Sequence, residues 1–212
     1  MEAYIVEELG GKFRKTDLPR PALRPNHVLV KIKASGVNPL DTKIRAGKAA
    51  HAKQSLPAVL GLDMAGIIEE VGPDVTAFKR GDEVFGMVGG VGGLQGTLAE
   101  FIAADVDLLA PKPSKLSMRQ AAALPLVVIT AWEGLVDRAK VCADQTVLVH
   151  AGAGGVGHVA VQLARAYGAR VFATVSAEKK QIVEGFGATH SHRLSFLFRR
   201  WVCGRDDRRP GF

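Results

Sequence analysis

Three glycines follow an apolar run of the chain at a spacing that lets the backbone bind a phosphate. The run covers residues 147–149, and the glycines complete a G-x-G-x-x-G pattern, Gly152, Gly154 and Gly157. In this pattern the first glycine permits a tight turn, the second lets the backbone approach a pyrophosphate, and the third lets a helix pack close to the strand. Gly155 and Val156 stand at the predicted start of that helix, where free N–H groups and the positive end of the helix dipole attract anions. The turn is therefore a candidate dinucleotide site.

The G-x-G-x-x-G spacing alone is weak evidence of dinucleotide binding, so the secondary structure predicted on either side of the glycines has to be considered. The apolar run predicts a strand, a helical pattern extends from Val156 to about Tyr167, and residues 170–175 predict a second strand. This is a βαβ unit of the expected length. It favours dinucleotide binding over a glycine-rich turn with only a structural role.

The end of the second predicted strand favours NADP(H) over NAD(H). Sites for NAD carry an Asp or Glu there to bind the ribose hydroxyls, whereas this chain has no carboxylate before Glu178. Ser176 leaves room for a 2′-phosphate, and Lys179 and Lys180 can supply positive charge. The alternative is that both lysines belong to the exposed face of the following helix.

The first 110 residues are rich in short strand patterns that Gly and Pro interrupt. Four segments carry them: residues 27–33, 64–71, 82–86 and 98–103. Such spacing is typical of a small barrel-like β domain. From Leu116 helices are expected instead, since Ser117 and Gln120 form a capping-box pattern and Pro125 restarts a helix that runs to about Lys140. A β-rich half followed by an α/β half predicts a two-domain oxidoreductase with its active site in the cleft between the domains.

Composition limits the class of protein. The chain has 212 residues, 47% of them hydrophobic, which is enough for one large or two modest cores. Nothing resembles a signal peptide, and no apolar run approaches the roughly 18 residues that span a membrane. Two cysteines, Cys142 and Cys203, offer no disulfide framework. We expect a cytoplasmic protein.

The net charge of +7 does not indicate a nucleic-acid partner. Residues 1–190 hold 22 basic and 19 acidic side chains, whereas residues 191–212 hold six arginines and two aspartates. More than half of the excess positive charge thus lies at the C-terminal end. The body lacks the basic stripe with interleaved aromatic residues that nucleic-acid binding needs.

Several motifs occur in the order found in one known superfamily. They are residues 34–41, residues 61–66, residues 81–84, the pair 124–125 with Thr130, Ala131 and Trp132, and the glycine turn. With them the chain resembles the medium-chain dehydrogenase/reductases, and within these the zinc-independent quinone oxidoreductases of the zeta-crystallin-like branch. The resemblance implies an α/β protein with a GroES-like β-barrel catalytic domain at residues 1–120 and an incomplete Rossmann NADP-binding domain at 121–190. It also implies Thr130 as a cofactor-binding residue and a parent family that is often homodimeric.

The same resemblance argues against a metal site. Zinc alcohol dehydrogenases of the superfamily have a cysteine where Asn38 stands and Gly-His-Glu where Gly61, Leu62 and Asp63 stand. Leucine cannot bind zinc, and asparagine is a poor substitute for a thiolate. We interpret the remaining metal-like cluster, His190 and His192 with Cys203, as part of a solvated tail.

Without a metal, the chemistry that the resemblance implies is direct hydride transfer from NADPH to a small-molecule quinone or α,β-unsaturated carbonyl. Asn38 and Asp41 stand at positions that line the cleft in relatives, and the Asn38 amide can donate to a carbonyl oxygen. Lys43 replaces a tyrosine found in several relatives and is the third candidate catalytic residue. Capping of the helix that begins near Pro39 is the alternative role for Asn38 and Asp41. Alternative functions are a non-catalytic nucleotide-binding remnant and an enoyl-thioester reductase.

The C-terminal segment, residues 191–212, breaks the pattern. Its basic residues are all arginine, no strand or helix period persists, and its apolar residues have no evident core to join. We interpret it as an aberrant or disordered tail produced by a frameshift, aberrant splicing or an assembly error, with a basic-aromatic interaction tail as the alternative. A chain truncated near residue 190 is expected to have little activity and to leave the strand at 171–175 as an exposed sheet edge.

Overall fold

The chain forms two compact units. The computed structural model describes residues 1–193, with side chains described up to Thr189. The first unit is Met1–Leu126 and the second begins at Val127. Within residues 1–193, no helix combines the length and apolar character that crossing a bilayer requires.

The first unit is built from two antiparallel sheets. The strands are β1 (Glu2–Val6), β2 (Arg14–Asp17), β3 (His27–Ser35), β4 (Ala58–Val59), β5 (Asp63–Val71), β6 (Glu83–Met87), β7 (Phe101–Asp105) and β8 (Ala110–Pro111). One sheet has five strands in the order β7-β3-β5-β6-β8, and the other has three in the order β2-β1-β4. The four predicted strands are β3, β5, β6 and β7, with ends shifted by one to three residues.

The core of the larger sheet comes from apolar residues of its central strands. Val28 and Val30 of β3 are fully buried beside Met64 and Ile68 of β5 and Ile102 of β7. Successive side chains of a strand point to opposite faces, so Val28 and Val30 lie on the face that forms this core, while Leu29 between them is also buried.

Two short helices pack in this unit. The helix α1 (Pro39–Arg45) begins at a proline, which is well suited to a first helical position because it has no N–H to leave unpaired. The helix α2 (Met118–Ala122) begins with the predicted capping box: Ser117 Oγ accepts from Gln120 N at 3.3 Å, and Gln120 Oε1 accepts from Ser117 N at 3.0 Å.

The second unit contains the predicted βαβ arrangement. The helix α3 (Pro125–Trp132) continues as a π-helix (Glu133–Arg138), and β9 (Thr146–Val149), α4 (Gly155–Ala166), β10 (Arg170–Val175), α5 (Lys180–Gly185) and β11 (His190–Arg193) follow. The three strands are parallel, in the order β11-β10-β9. Val171 and Ala173 of β10 pack on one face against Val161 and Ala164 of α4 and Val183 of α5, all of them buried. Leu148 and Phe172 are paired neighbours on β9 and β10, and Leu148 is 50% exposed.

One expectation about this sheet is wrong. β10 is not an edge strand, because β11 pairs with it in parallel from Phe172↔His190 to Val175↔Arg193. The first residues of the predicted aberrant tail, 191–193, therefore belong to a strand. The rest of that prediction, residues 194–212, lies outside the described part of the chain.

Candidate functional site

The glycine turn lies between β9 and α4, and β10 holds it in place. Ala151 has the left-handed backbone angle φ +53°, and its N–H donates to the buried Thr174 Oγ1 at 3.0 Å. Gly152 N donates to Thr174 O at 3.0 Å, and Gly154 N donates to Ala151 O at 2.8 Å. The side chain and backbone of Thr174 thus both fix the turn.

Side chains at the three glycines of this turn would be crowded or would clash. A Cβ on Gly152 would lie 2.8 Å from the Cβ of Ala173, and one on Gly154 would lie 3.1 Å from Ala151 O. A Cβ on Gly157 would clash with Ala151 O, so only glycine lets α4 start this close to the turn. The first N–H groups of a helix have no intrahelical acceptor. Those at Gly155 and Val156 are therefore available to a pyrophosphate, and the backbone cradle fits a dinucleotide.

The end of β10 lies at the same edge of the parallel sheet as the glycine turn. Ser176 and Lys179 are exposed there, in the turn of 3-10 helix that precedes α5. Lys180 is also exposed, but its Nζ lies 3.8 Å from Glu184 Oε1 across one turn of α5. Lys179 is the better placed of the two lysines for a phosphate, since no described residue forms an ion pair with it. Thr130 lies exposed on α3 of the same unit.

In the first unit, Asn38 is held by a buried carboxylate that the sequence did not single out. Asp63, at the start of β5, is 1% exposed. Its Oδ2 accepts from Asn38 Nδ2 at 2.8 Å, and Leu126 N lies 3.2 Å from its Oδ1 and 3.3 Å from its Oδ2. One carboxylate therefore joins the start of α1 to Leu126, the last residue of the first unit. One N–H of the Asn38 amide is bound to Asp63, and its second N–H remains for another acceptor.

Burial dominates the acid–base behaviour of Asp63. Loss of solvation raises its pKa from 3.8 to about 6, although the hydrogen bonds from Asn38 and Leu126 act in the opposite direction. The nearby Asp41 carboxyl makes a smaller contribution in the same direction. The cause is the cost of an ionised carboxylate away from water.

Asp41 occupies the third position of α1. Its Oδ2 accepts from Asn38 N at 2.7 Å, which provides the helix start with an acceptor for an otherwise unpaired N–H. The side chain is 7% exposed, and burial raises its pKa from the ordinary value. Lys43, by contrast, is exposed on α1. The structure thus brings Asn38 and Asp41 together, and it leaves Lys43 outside their hydrogen bonds.

Leu62 and Asp63, which stand where the zinc enzymes have His and Glu, do not suit a metal. Leu62 is buried at 1% exposure and offers no lone pair, while Asp63 is already bound to Asn38 and Leu126. Among the described residues, no three His, Cys, Asp or Glu side chains are grouped to hold a metal ion.

Two positioning residues, Asp63 and Thr174, were missed in the sequence. Asp63 lies between two buried residues, Leu62 and Met64, and a carboxylate in such a setting is the signal that could have identified it. Thr174 has no comparable signal, because a threonine is ordinary in a strand.

Comparison with known proteins agrees with this order of units. Residues 24–114 match the family described as alcohol dehydrogenase GroES-like domain. The chain is 43% identical to a quinone oxidoreductase of Sus scrofa, over 85% of this chain and 54% of the relative. It is 41% identical to the chloroplastic NADPH-dependent alkenal/one oxidoreductase of Arabidopsis thaliana, over 89% of this chain and 51% of the relative.

A solved structure shows the same fold at high similarity. It is an alcohol dehydrogenase superfamily protein from Novosphingobium aromaticivorans, 55% identical, with a TM-score of 0.91. The match covers 96% of this chain and 63% of that protein. The chain spans about half the length of the curated relatives named above. Its two units correspond to a GroES-like N-terminal domain and the start of a Rossmann domain.

Proposed function

Because this chain belongs to the medium-chain dehydrogenase/reductase superfamily, we propose that it is part of an NADPH-dependent oxidoreductase. Its acceptors would be quinones or α,β-unsaturated carbonyls, and the reaction would need no zinc. The observation that carries the proposal is the glycine cradle at the start of α4, with no carboxylate at the end of the adjacent strand. The names of two relatives, a quinone oxidoreductase and an NADPH-dependent alkenal/one oxidoreductase, support the acceptor class.

The residues of the second unit would hold the cofactor. The N–H groups of Gly155 and Val156 would bind the pyrophosphate, and Ser176 with Lys179 would receive the 2′-phosphate. When bound, NADPH supplies a hydride. Placing the acceptor correctly and excluding water would then provide most of the rate enhancement.

The residues of the first unit would orient the acceptor. Asn38 is fixed by Asp63, so the second N–H of its amide has a defined direction in which to donate to a carbonyl oxygen. Such a hydrogen bond stabilises the negative charge that develops on that oxygen as hydride arrives. Asp41 fixes the backbone N–H of Asn38 and so contributes to the same orientation.

The test separates binding from turnover. Purified chain is titrated with NADPH by fluorescence, and NADPH oxidation is then followed with a quinone, an enone and an enoyl thioester in parallel. Binding with oxidation of the quinone or enone supports the proposal, and preference for the thioester favours an enoyl reductase. Binding without oxidation of any acceptor identifies a nucleotide-binding remnant. If NADPH does not bind, the proposal is wrong.

A further inference from the structure

A cavity of about 280 Å³ lies in the first unit, at the edge of its larger sheet. Its walls come mainly from β7, from the segment at residues 21–24 before β3, and from the loop at residues 93–95. It shares no residue with the candidate site described above. The volume is close to the lower end of the range of about 300–1,000 Å³ typical of small-molecule sites, which indicates a small ligand.

The N–H and C=O of Ala103 on β7 point away from the sheet. In an antiparallel strand, residues that bond to the neighbouring strand alternate with residues whose N–H and C=O point the other way. Ile32 N donates to Glu100 O at 2.9 Å. Val106 N donates to Asn26 O at 3.0 Å. The even-numbered residues of β7 therefore bond to β3, and the N–H and C=O of Ala103 face the open edge, where this residue lines the cavity.

These two groups of Ala103 have no partner within the described part of the chain. Phe101 O, two residues earlier, points off the same edge and accepts from Gln95 Nε2 at 2.8 Å. The segment at residues 21–24 forms no hydrogen bond to β7 among the described residues, and Pro21 has no N–H to offer. A donor and an acceptor thus remain side by side, the arrangement that a strand edge presents to one further residue.

The charge at this cavity is positive. Arg24 lines it, is exposed, and forms no ion pair with any residue that the structure describes. A guanidinium forms a charge-assisted hydrogen bond with a carboxylate, which is stronger than a bond between neutral groups.

No acidic side chain offsets this charge at the cavity, since the described residues that line it include no Asp or Glu. Asp105 lies opposite His27 in the β3–β7 register. Its Oδ1 already accepts from Asn26 Nδ2 at 2.9 Å and from Asp107 N at 3.1 Å. An anionic group of a ligand is therefore favoured here, whereas an ammonium group has no counter-ion.

We propose that this cavity binds an N-acylated α-amino acid. Its N–H donates to Ala103 O, one carboxylate oxygen accepts from Ala103 N, and the other accepts from the Arg24 guanidinium. The ligand thus pairs with β7 as one residue of an added antiparallel strand does. Pro21, Ala22 and Leu94 provide the apolar wall for its acyl group and a small side chain. Such binding does not depend on the proposed reductase function.

The experiment is calorimetric titration of the full chain with three ligands of nearly equal size. N-acetyl-L-alanine carries both the N–H and the carboxylate, N-acetyl-L-alaninamide lacks the negative charge, and O-acetyl-L-lactate has an ester oxygen in place of the N–H. Each of the last two is expected to bind about tenfold more weakly than N-acetyl-L-alanine, since a site built for a polar group rejects an analogue that lacks it.

Variants of the two proposed partners assign the contacts. Arg24→Gln is expected to remove the preference for N-acetyl-L-alanine over the amide while keeping the preference over the ester. Ala103→Pro removes an N–H that points off the sheet edge, where proline is tolerated, and should weaken binding of N-acetyl-L-alanine about tenfold. Arg80→Gln, at an exposed arginine outside the cavity, should change none of the affinities. If circular dichroism shows that Ala103→Pro is unfolded, Arg24→Gln decides, because its side chain is exposed.

Several outcomes would overturn the proposal. They are no saturable binding of N-acetyl-L-alanine, equal affinities for it and either analogue, a preference over the amide that survives in Arg24→Gln, and unchanged affinity in a folded Ala103→Pro. Tighter binding of free L-alanine than of N-acetyl-L-alanine would overturn it as well, because the cavity would then accept an ammonium group.

Discussion

Two side chains in this structure act by holding other groups in place. Asp63 fixes the Asn38 amide and the backbone N–H of Leu126, and Thr174 fixes the glycine turn. Both are buried. Their effects should therefore be visible in binding and stability, even though neither is expected to touch a substrate.

Asp63 should make stability depend on pH in the direction opposite to that of a salt-bridged carboxylate. Its pKa is about 6 in the folded chain and 3.8 as the ordinary value, so the folded state binds the proton more tightly. The free energy of unfolding should rise by about 1 kcal/mol between pH 7 and pH 5 through this group. Urea unfolding of wild type and Asp63→Asn at both pH values measures the difference.

The comparison with Asp63→Asn isolates this contribution from other titrating groups. The Asp63→Asn variant should lack the rise in the free energy of unfolding between pH 7 and pH 5. Glu178→Gln, which removes an exposed carboxylate, should retain that rise. Identical pH dependence in wild type and Asp63→Asn would show that burial does not govern this carboxylate.

Thr174 should control the affinity for NADPH without touching it. Thr174→Val keeps the shape but leaves the Ala151 N–H without its acceptor, and the dissociation constant is expected to rise about tenfold. Thr174→Ser keeps the hydroxyl and should stay close to wild type. Thr146→Val, at an exposed strand position, is the matched control.

Wild-type affinity in Thr174→Val together with a loss of affinity in Thr174→Ser would contradict the role of the hydroxyl. It would indicate that packing of the Thr174 methyl group matters instead. Fluorescence titration with NADPH distinguishes these results directly.

At the scale of elements, the start of α4 depends on one glycine. Gly157→Ala would drive a Cβ against Ala151 O and force the helix away from the turn. NADPH affinity should fall by more than about tenfold, and stability should drop by about 1–3 kcal/mol. Gly185→Ala in α5 meets open space, so it should be neutral or stabilising by up to about 1 kcal/mol.

Nucleotide titration and urea unfolding of the two variants give both quantities. If Gly157→Ala binds NADPH as tightly as Gly185→Ala, the close approach of α4 to the turn has no role in the site.

The elements that sequence patterns predict well are those defined by local signals. β9, α4 and β10 follow from apolar runs around the glycines, and α2 from its capping box. β1, β2 and β4 were not predicted, because β4 is only two residues long and β1 pairs with residues more than 50 positions away. Such strands are specified by long-range pairing, which a local window does not contain.

The residues of the candidate site show the same contrast between local signals and long-range contacts. Asn38, Asp41 and the glycines are candidates because of their motifs, whereas the role of Asp63 depends on distant parts of the chain meeting. The exposure of Lys43 could not be predicted either, since residue type does not reveal which face of a short helix is covered.

At the scale of the whole molecule, the two units can be observed separately. The chain has two tryptophans: Trp132 lies in the second unit, and Trp201 lies outside the described residues. Neither lies in the first unit, so tryptophan fluorescence follows the second unit through Trp132, while circular dichroism reports on both units. Saturating NADPH, at about 100 times its dissociation constant, should stabilise the fluorescence-detected transition by about 2.7 kcal/mol.

NADH at the same concentration should give a smaller shift if Ser176 and Lys179 bind the 2′-phosphate as proposed. Lys179→Ala should reduce the difference between the two nucleotides. A larger shift with NADH in the wild type would reverse the proposed cofactor preference.

The exposed Leu148 beside Phe172 has a consequence for handling the protein. Apolar side chains that face water on a sheet promote self-association and so limit the protein concentration that stays in solution. Kosmotropic salts such as sulfate strengthen this tendency. The protein should therefore precipitate at a lower ammonium sulfate concentration than expected for a chain with a net charge of +7. The side of the sheet that carries Leu148 is where the first contacts between copies would form.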